Sequence, residues 1–171
     1  MRSSLFLGLA LAAFGSAIAA PPDCSSWTLD GYRLGMPGDE LLAVRSVTMH
    51  VENQAQANEP GRFQGVLVLD VLNRLQKWDV RYDAAEGDEL RADLEARIGE
   101  PASDVSGDLS GDETDTARQR RTIWWSTACD AAIIVYDNDS ARGAPGRRVS
   151  ATLARTSAFP PGLVQMKSLV D

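Results

Sequence analysis

"GDELLAVRSV" runs from Gly38 to Val47, and "GDELRADLEA" runs from Gly87 to Ala96. Both open on Gly-Asp-Glu-Leu and share the alanine at their sixth position (Ala43, Ala92), 49 residues apart. Acidic residues in a first turn complement the positive end of a helix dipole. In the second stretch Leu90, Leu94 and Ile98 recur at i, i+4, i+8, a helical stripe. Gly99 and Pro101 close it in the order expected of a helix C-terminus. In the first stretch Leu41, Leu42 and Val44 fit a short helix, and the period changes at Val47. Each stretch therefore reads as a helix start, and the segments downstream of each helix decide the fold.

After the first helix, "VTMHVEN" alternates, with Val47, Met49 and Val51 on one face and Thr48, His50 and Glu52 on the other. That is the signature of a half-buried strand. "QAQANEPGR" (54–62) reads as a polar connection with a Pro-Gly turn, and "FQGVLVLD" (63–70) as a second strand. "DVLNR" reverses the chain into a third strand, "LQKWDVRYD" (75–83). There Trp78, Val80 and Tyr82 oppose Lys77, Asp79, Arg81 and Asp83. Such alternation suits an antiparallel sheet with one wet face. After the second helix, residues 102–117 are acidic, Ser- and Gly-rich and aperiodic, and read as a long flexible loop. Three strands are expected next, in "RTIWWST" (121–127), "ACDAAIIVYD" (128–137) and "RRVSATLART" (147–156). The apolar run of the middle one marks a central strand. "NDSARGAPG" is a turn-rich loop, and the Pro-broken tail offers Leu163, Val164 and Met166 for docking. The expectation is an α+β fold with two helices packed on an antiparallel sheet. The halves, 31–83 and 84–157, form a tandem helix-plus-three-strand repeat. The shared Gly-Asp-Glu-Leu fits an internal duplication, and it equally fits common helix-start chemistry.

The N-terminus reads as a targeting segment. Arg2 precedes an apolar run from Leu5 to Phe14, then small residues, with Ala17-Ile18-Ala19 matching a cleavage site. The run is shorter than the roughly 20 apolar residues a spanning helix needs. Residues 1–19 are thus read as a signal peptide, and 20–171 as a single exported domain in the periplasm or secreted. A lipid anchor fits poorly, because Cys24 follows "PPD". Cys24 and Cys129 are the only cysteines, so an oxidising compartment makes one disulfide the expected state. It would pin the mature N-terminus to a strand in the C-terminal third. A reactive or metal-binding thiol pair is the sharper alternative. The charge is −7 from 17 basic and 24 acidic residues. Loss of Arg2 makes it 16 − 24 = −8. That balance argues against nucleic acid and an anionic membrane as partners.

"GYRLGMPGDELLAV" (31–44), with Gly31, Leu34-Gly35-Met36 and Glu40-Leu41, resembles a recurring opening in small exported bacterial proteins. "GVLVLDVLNRLQKWDVRY" is similar to the hairpin that comes next there, and "LEARIGEP" with the later "IWW" to the next unit. The resemblance is to the beta-lactamase-inhibitor-like fold, which includes the small outer-membrane assembly lipoprotein. It implies binding of other proteins rather than catalysis. Pro37 stands where that family often has Ser or Thr, and the lipidation site is lacking.

Signatures of chemistry are sparse. His50 is the single histidine and falls on the polar face of a strand. No G-x-S-x-G elbow, phosphate loop or zinc-ligand set is present. The acid-rich "DLSGDETD" fails as an EF-hand loop, because from Asp108 the sixth position is Glu113 where glycine is required. No cofactor or metal is expected. Trp124 and Trp125 are adjacent in a strand and must face opposite ways. Alternation with Ile123 places Trp125 in the core and Trp124 on the surface as the candidate partner contact, since Trp is enriched in binding hot spots. Two arginine groups, Arg118, Arg120, Arg121 and Arg142, Arg147, Arg148, read as solvated faces, or as attractors of an acidic partner or of the acidic loop. The reading is a non-enzymatic interaction module for another envelope or secreted protein, an assembly accessory or an inhibitor. The alternative is a small-ligand or glycan binder, or a hydrolase working from carboxylates beside Trp78 or Trp124.

Overall fold

The computed structural model describes residues 22–44, 47–51, 53–83, 86–107, 118–140, 146–160 and 163. In chain order these form β1 (Thr28–Leu29), β2 (Tyr32–Arg33), α1 (Gly38–Val44), β3 (Val47–Val51), β4 (Gln54–Glu59), β5 (Phe63–Leu69) and β6 (Leu75–Tyr82). There follow α2 (Glu86–Ile98), β7 (Ser103–Gly107), β8 (Arg118–Ser126), β9 (Ala131–Ser140), β10 (Gly146–Ala154) and a short 3-10 turn, Thr156–Ala158. The fold is α+β and mostly sheet. Strands β3 to β10 make one eight-stranded sheet in the order β3-β4-β5-β6-β10-β9-β8-β7, antiparallel at every pairing. Each helix precedes four consecutive strands that pair as a meander. The last strands of the two meanders meet at the centre, with Trp78 opposite Leu153, Val80 opposite Ala151 and Tyr82 opposite Val149.

Two of these strands lie where connections were expected. β4 replaces the polar connection: Ala55 and Ala57 are fully buried while Gln54, Gln56 and Asn58 face outward. The period of two is there, but alanine supplies the inward face and carries little strand propensity. β7 occupies the start of the expected 102–117 loop, as an edge strand of polar residues held by pairing to β8. Each half therefore has four strands, not three. Residues 108–117 lie outside the described residues, as do residues 1–19, Arg142, Val164 and Met166. The same holds for the side chains of Met49, His50 and Arg118.

One face of the sheet carries the main core. Leu67, Trp78, Val80, Ile133, Val135, Val149, Ala151 and Leu153 project from it. They share one buried cluster with Leu41 of α1, Leu94 of α2, and Leu29, Tyr32 and Met36 of the N-terminal segment. Leu90 and Ile98 of the expected α2 stripe are only partly buried. The positions that turn fully inward on α2 are Gly87, Arg91 and Leu94. Gly87 has no Cβ because Val149 fills that space: a Cβ there would stand 2.4 Å from Val149 Cγ2. The N-terminal segment is clipped to β6, with Gly35 N–H donating to Leu75 O and Leu75 N–H to Met36 O, both 2.8 Å. Arg97 of α2 holds the segment's other end, donating to Ser26 O at 2.8 Å and Thr28 Oγ1 at 2.9 Å.

Candidate functional site

The second face of the sheet has two parts. Over the Ile123–Trp125 stretch of β8 and Ile134 of β9 it is closed by the C-terminal segment, where Ile123, Ile134 and Leu163 are buried and Trp125 and Phe159 pack against them. The Trp125 and Phe159 ring centroids are 6.1 Å apart. From β4 to β9 the face otherwise carries mostly polar side chains, with Val66 among them, and leaves a shallow cavity of about 500 Å³. Gln56, Gln64, Asp79, Arg81, Tyr136 and Thr152 line it. Tyr136 is 42 % exposed at its β9 edge, one of four large hydrophobic side chains standing in solvent among the described residues.

Register fixes the neighbours of Tyr136. It lies opposite Arg121 of β8 and Ser150 of β10, and Ser150 lies opposite Arg81 of β6. Arg148, two residues before Ser150, lies opposite Asn138 and shares their face, because side chains repeat every second residue. With strands about 4.8 Å apart, Arg81 and Arg121 are separated by three spacings, about 14 Å, with Tyr136 between them. An acid on this face, Asp79, is already matched: Lys77 Nζ stands 2.6 Å from Oδ2, and Thr152 Oγ1 donates to Oδ1 at 2.6 Å. Among the described residues no carboxylate pairs with Arg81, Arg121 or Arg148. Arg121 Nε and Asn138 Oδ1 are buried with no hydrogen-bond partner there.

The covered face treats its charges differently. Arg91 donates to Asp137, and their side chains keep only 9 % and 12 % of their accessible surface. Arg147 Nε reaches the same carboxylate at 2.9 Å, and its Nη1 and Nη2 bridge to Asp88 at 2.7 and 2.6 Å. Burial pushes the Asp137 carboxyl up, but the Arg147 hydrogen bond and the charges of Arg147 and Arg91 outweigh it, so the net shift is downward. The Arg147 hydrogen bond holds Asp88 at about 2. Arg120 pairs with Asp104 at 2.9 and 2.6 Å and holds that carboxyl below its usual range. A cavity of about 470 Å³ beside Trp124 has Asp88, Glu95, Glu100 and Asp104 on its walls. A general acid needs its pKa raised, whereas arginines draw Asp88 and Asp104 the other way. Beside Trp78, Asp30 accepts from the indole Nε1 at 3.1 Å and from Tyr82 OH. That carboxylate is engaged in holding the N-terminal segment.

The expected facing of the two tryptophans is reversed. Trp124 is 2 % exposed, lies opposite Ile133 in the main core, and donates Nε1–H to Gly99 O at 2.9 Å, capping the end of α2. Trp125 shares its face with Ile123, and that face is the one the C-terminal segment covers. The candidate contact Trp124 is therefore an internal residue. Strand β8 is apolar on both faces, so alternation alone could not tell its inner face from its outer one. Cys24 and Cys129 form the expected disulfide, with Cα atoms 5.6 Å apart. Cys129 lies in the turn between β8 and β9 rather than in a strand. Among the described residues no group of three or more His, Cys, Asp or Glu is placed to hold a metal ion, and no helix is long and apolar enough to cross a membrane. The sequence leaves Tyr136 and Arg81 unread, and it places Arg121 and Arg148 in two arginine groups open to an acidic partner without bringing those residues together. The signal was the tyrosine that breaks the apolar run of β9, at the position where alternation turns it away from the core.

Comparison with protein-family models, with curated proteins and with solved structures returns no match.

Proposed function

We propose that this chain is an exported, non-enzymatic protein-interaction module that binds its partner through the uncovered face centred on Tyr136. The observation that carries the reading is that face itself. It is a broad run of sheet with an exposed aromatic ring and three guanidinium groups that no carboxylate matches among the described residues, where seven other arginines each have one. Tyrosine and arginine are among the side chains most enriched in interface hot spots. The signal-like leader and the disulfide support export to an oxidising compartment. The resemblance of 31–44 and of the hairpin after it to the beta-lactamase-inhibitor-like fold supports protein binding, as an assembly accessory or an inhibitor. Two successive units of one helix and four strands support a tandem duplication. The turn between β5 and β6 adds a further feature. Asp70 Oδ1 accepts from the N–H groups of Leu72 at 2.9 Å and Arg74 at 3.0 Å, and Val71 and Leu72 project into solvent from that ordered turn.

Site-specific photo-cross-linking in the exporting cell tests the reading. A photo-reactive phenylalanine analogue at position 136 is expected to give a discrete adduct with another protein, and the same group at Glu95 on α2 is not. Equal labelling from both positions, or none from 136, would overturn it. A glycan or small-ligand function would show instead as a reproducible thermal shift with sugars or small acids, reversed in Tyr136→Ala.

A further inference from the structure

The uncovered face also carries information about the chemistry of its partner. We infer that it recognises an acidic protein segment, whose carboxylates pair with Arg81, Arg121 and Arg148 while an apolar side chain packs on Tyr136. This rests on the reading of that face as an interaction surface and specifies what occupies it.

Charge distribution is the basis. The chain is acidic, with a formal charge of −7, so carboxylates are plentiful and an unmatched arginine is the exception. Seven arginines pair with a carboxylate: Arg33, Arg62, Arg91, Arg97, Arg120, Arg147 and Arg155. Four with described side chains have no such pair among the described residues, and three of them share the face of Tyr136; the fourth, Arg74, is at the β5–β6 turn. Guanidinium groups bind carboxylates through paired, charge-assisted hydrogen bonds. A segment presenting acids along about 14 Å, the span from Arg81 to Arg121, would meet two of them at once.

A protein segment fits better than a continuous polyanion. Asp79 sits on the same strand and face as Arg81, two residues away, and would oppose an unbroken run of phosphates or sulfates. The chain's acidic surface would repel a polyanion on every approach, and that repulsion is screened only beyond about 8–10 Å. A protein brings a few carboxylates in one patch and can offer Asp79 a donor.

The test uses the exported, disulfide-bonded protein and a fluorescent oligoglutamate peptide as probe, followed by anisotropy at low and at physiological salt. Heparin oligosaccharide and an oligoglutamine peptide serve as comparison probes. The triple variant R81Q/R121Q/R148Q is expected to bind oligoglutamate at least roughly tenfold more weakly, as expected for loss of close charge pairs. The single variant Arg74→Gln should leave binding within about twofold, since an isolated exposed charge contributes little. Circular dichroism and melting of the triple variant check that the fold is kept, and the single variants Arg81→Gln and Arg148→Gln, both at exposed positions, test the same point if it is not. Equal loss in the triple variant and Arg74→Gln, no loss in the triple variant, or tighter heparin binding abolished by the same three changes would each overturn the inference. So would concentration-dependent self-association that the triple variant removes, because the occupant would then be a second copy. The cross-link from position 136 separates the two readings. An adduct that survives the triple variant unchanged leaves the interaction face standing and removes the acidic partner. Absence of any adduct removes the interaction face itself.

Discussion

Asp137→Asn is the substitution for which the structure makes the firmest energetic statement. Asp137 accepts from Arg91 and Arg147 together, and the Arg91 side chain is 9 % exposed. The amide nearly conserves volume and removes the negative charge, leaving two guanidinium groups against one neutral carbonyl. Breaking a buried pair from one side costs about 3–5 kcal/mol, because the remaining ion keeps its desolvation penalty without compensation. Asp88 still neutralises Arg147 from the solvent side, so the lower half of that range, about 3 kcal/mol, is expected. Urea denaturation of the disulfide-bonded protein at neutral pH measures it, and the slope of the transition should not change. Adding Arg91→Met to Asp137→Asn should restore part of the loss, since the lone buried charge is then gone. The pH dependence carries a sign of its own. The folded carboxyl lies below its ordinary value, near 3.9 in an unfolded chain. Its contribution is therefore fully present above the unfolded value and is lost as pH falls through the folded one. The gap between wild type and Asp137→Asn should be constant from neutral pH to about pH 5 and should close below about pH 4. A gap under about 1 kcal/mol at neutral pH, or one that widens on acidification, would refute the account of Asp137 as the counter-ion of a buried arginine.

Gly65→Ala should cost about 2–3 kcal/mol in the same assay, at the upper end for overpacking, because a Cβ there would lie 2.3 Å from Trp78 Cη2 and 2.5 Å from the fixed carbonyl oxygen of Asp79; a cost below about 0.5 kcal/mol would contradict that packing. Replacing both Cys24 and Cys129 with serine releases a crosslink spanning 105 residues, for which chain entropy gives about 4–5 kcal/mol as an upper figure. The midpoint for urea should fall accordingly, and protease should cut first within residues 22–36. Trp124→Phe should lower stability by about 1–2 kcal/mol through loss of its hydrogen bond to Gly99 O; the iodide-quenchable share of tryptophan fluorescence should stay with Trp27 and Trp125, and a drop in quenching on this substitution would show Trp124 to be exposed.

Some of the fold is legible from residues alone, and the boundary follows a physical line. β6 could be read because Trp78, Val80 and Tyr82 alternate with charged residues, so pattern and burial coincide. α2 could be read because Gly99, at φ +98°, ends it where an L side chain would be strained. β4 could not, because its inward residues are Ala55 and Ala57, whose small side chains fit only where Leu67 and Gly65 stand opposite. β7 could not, since a polar edge strand gains its order from its neighbour β8 rather than from its own sequence. The two tryptophans of β8 show a third limit. At the tryptophans both faces of that strand are covered, so the side each ring takes depends on which segment covers it, and the C-terminal turn that covers Trp125 is far along the chain. The candidate site shows a fourth. Arg81, Arg121, Tyr136 and Arg148 come from four strands, and only the order β6-β10-β9-β8 makes them neighbours.

The same order explains why the two faces differ. On the covered face the sheet meets α2, and any arginine there must carry its counter-ion with it, as Arg91 does with Asp137, or stand uncompensated in a medium that cannot solvate it. On the other face water can solvate a guanidinium, so folding places no demand for a partner. The fold can pair charges on that face, as Lys77 and Asp79 show. Arg81 stands two residues beyond Asp79 on the same strand, yet the carboxylate is taken by Lys77 and Thr152. One further acid among Gln56, Gln64, Ser150 or Asn138 would give these arginines a counter-ion within the chain, and each of those positions holds a neutral polar residue instead. A face that keeps hydrogen-bonding capacity, leaves three arginines with no carboxylate among the described residues and sets an aromatic ring beside them has the composition of a binding surface whose missing charges arrive with the partner.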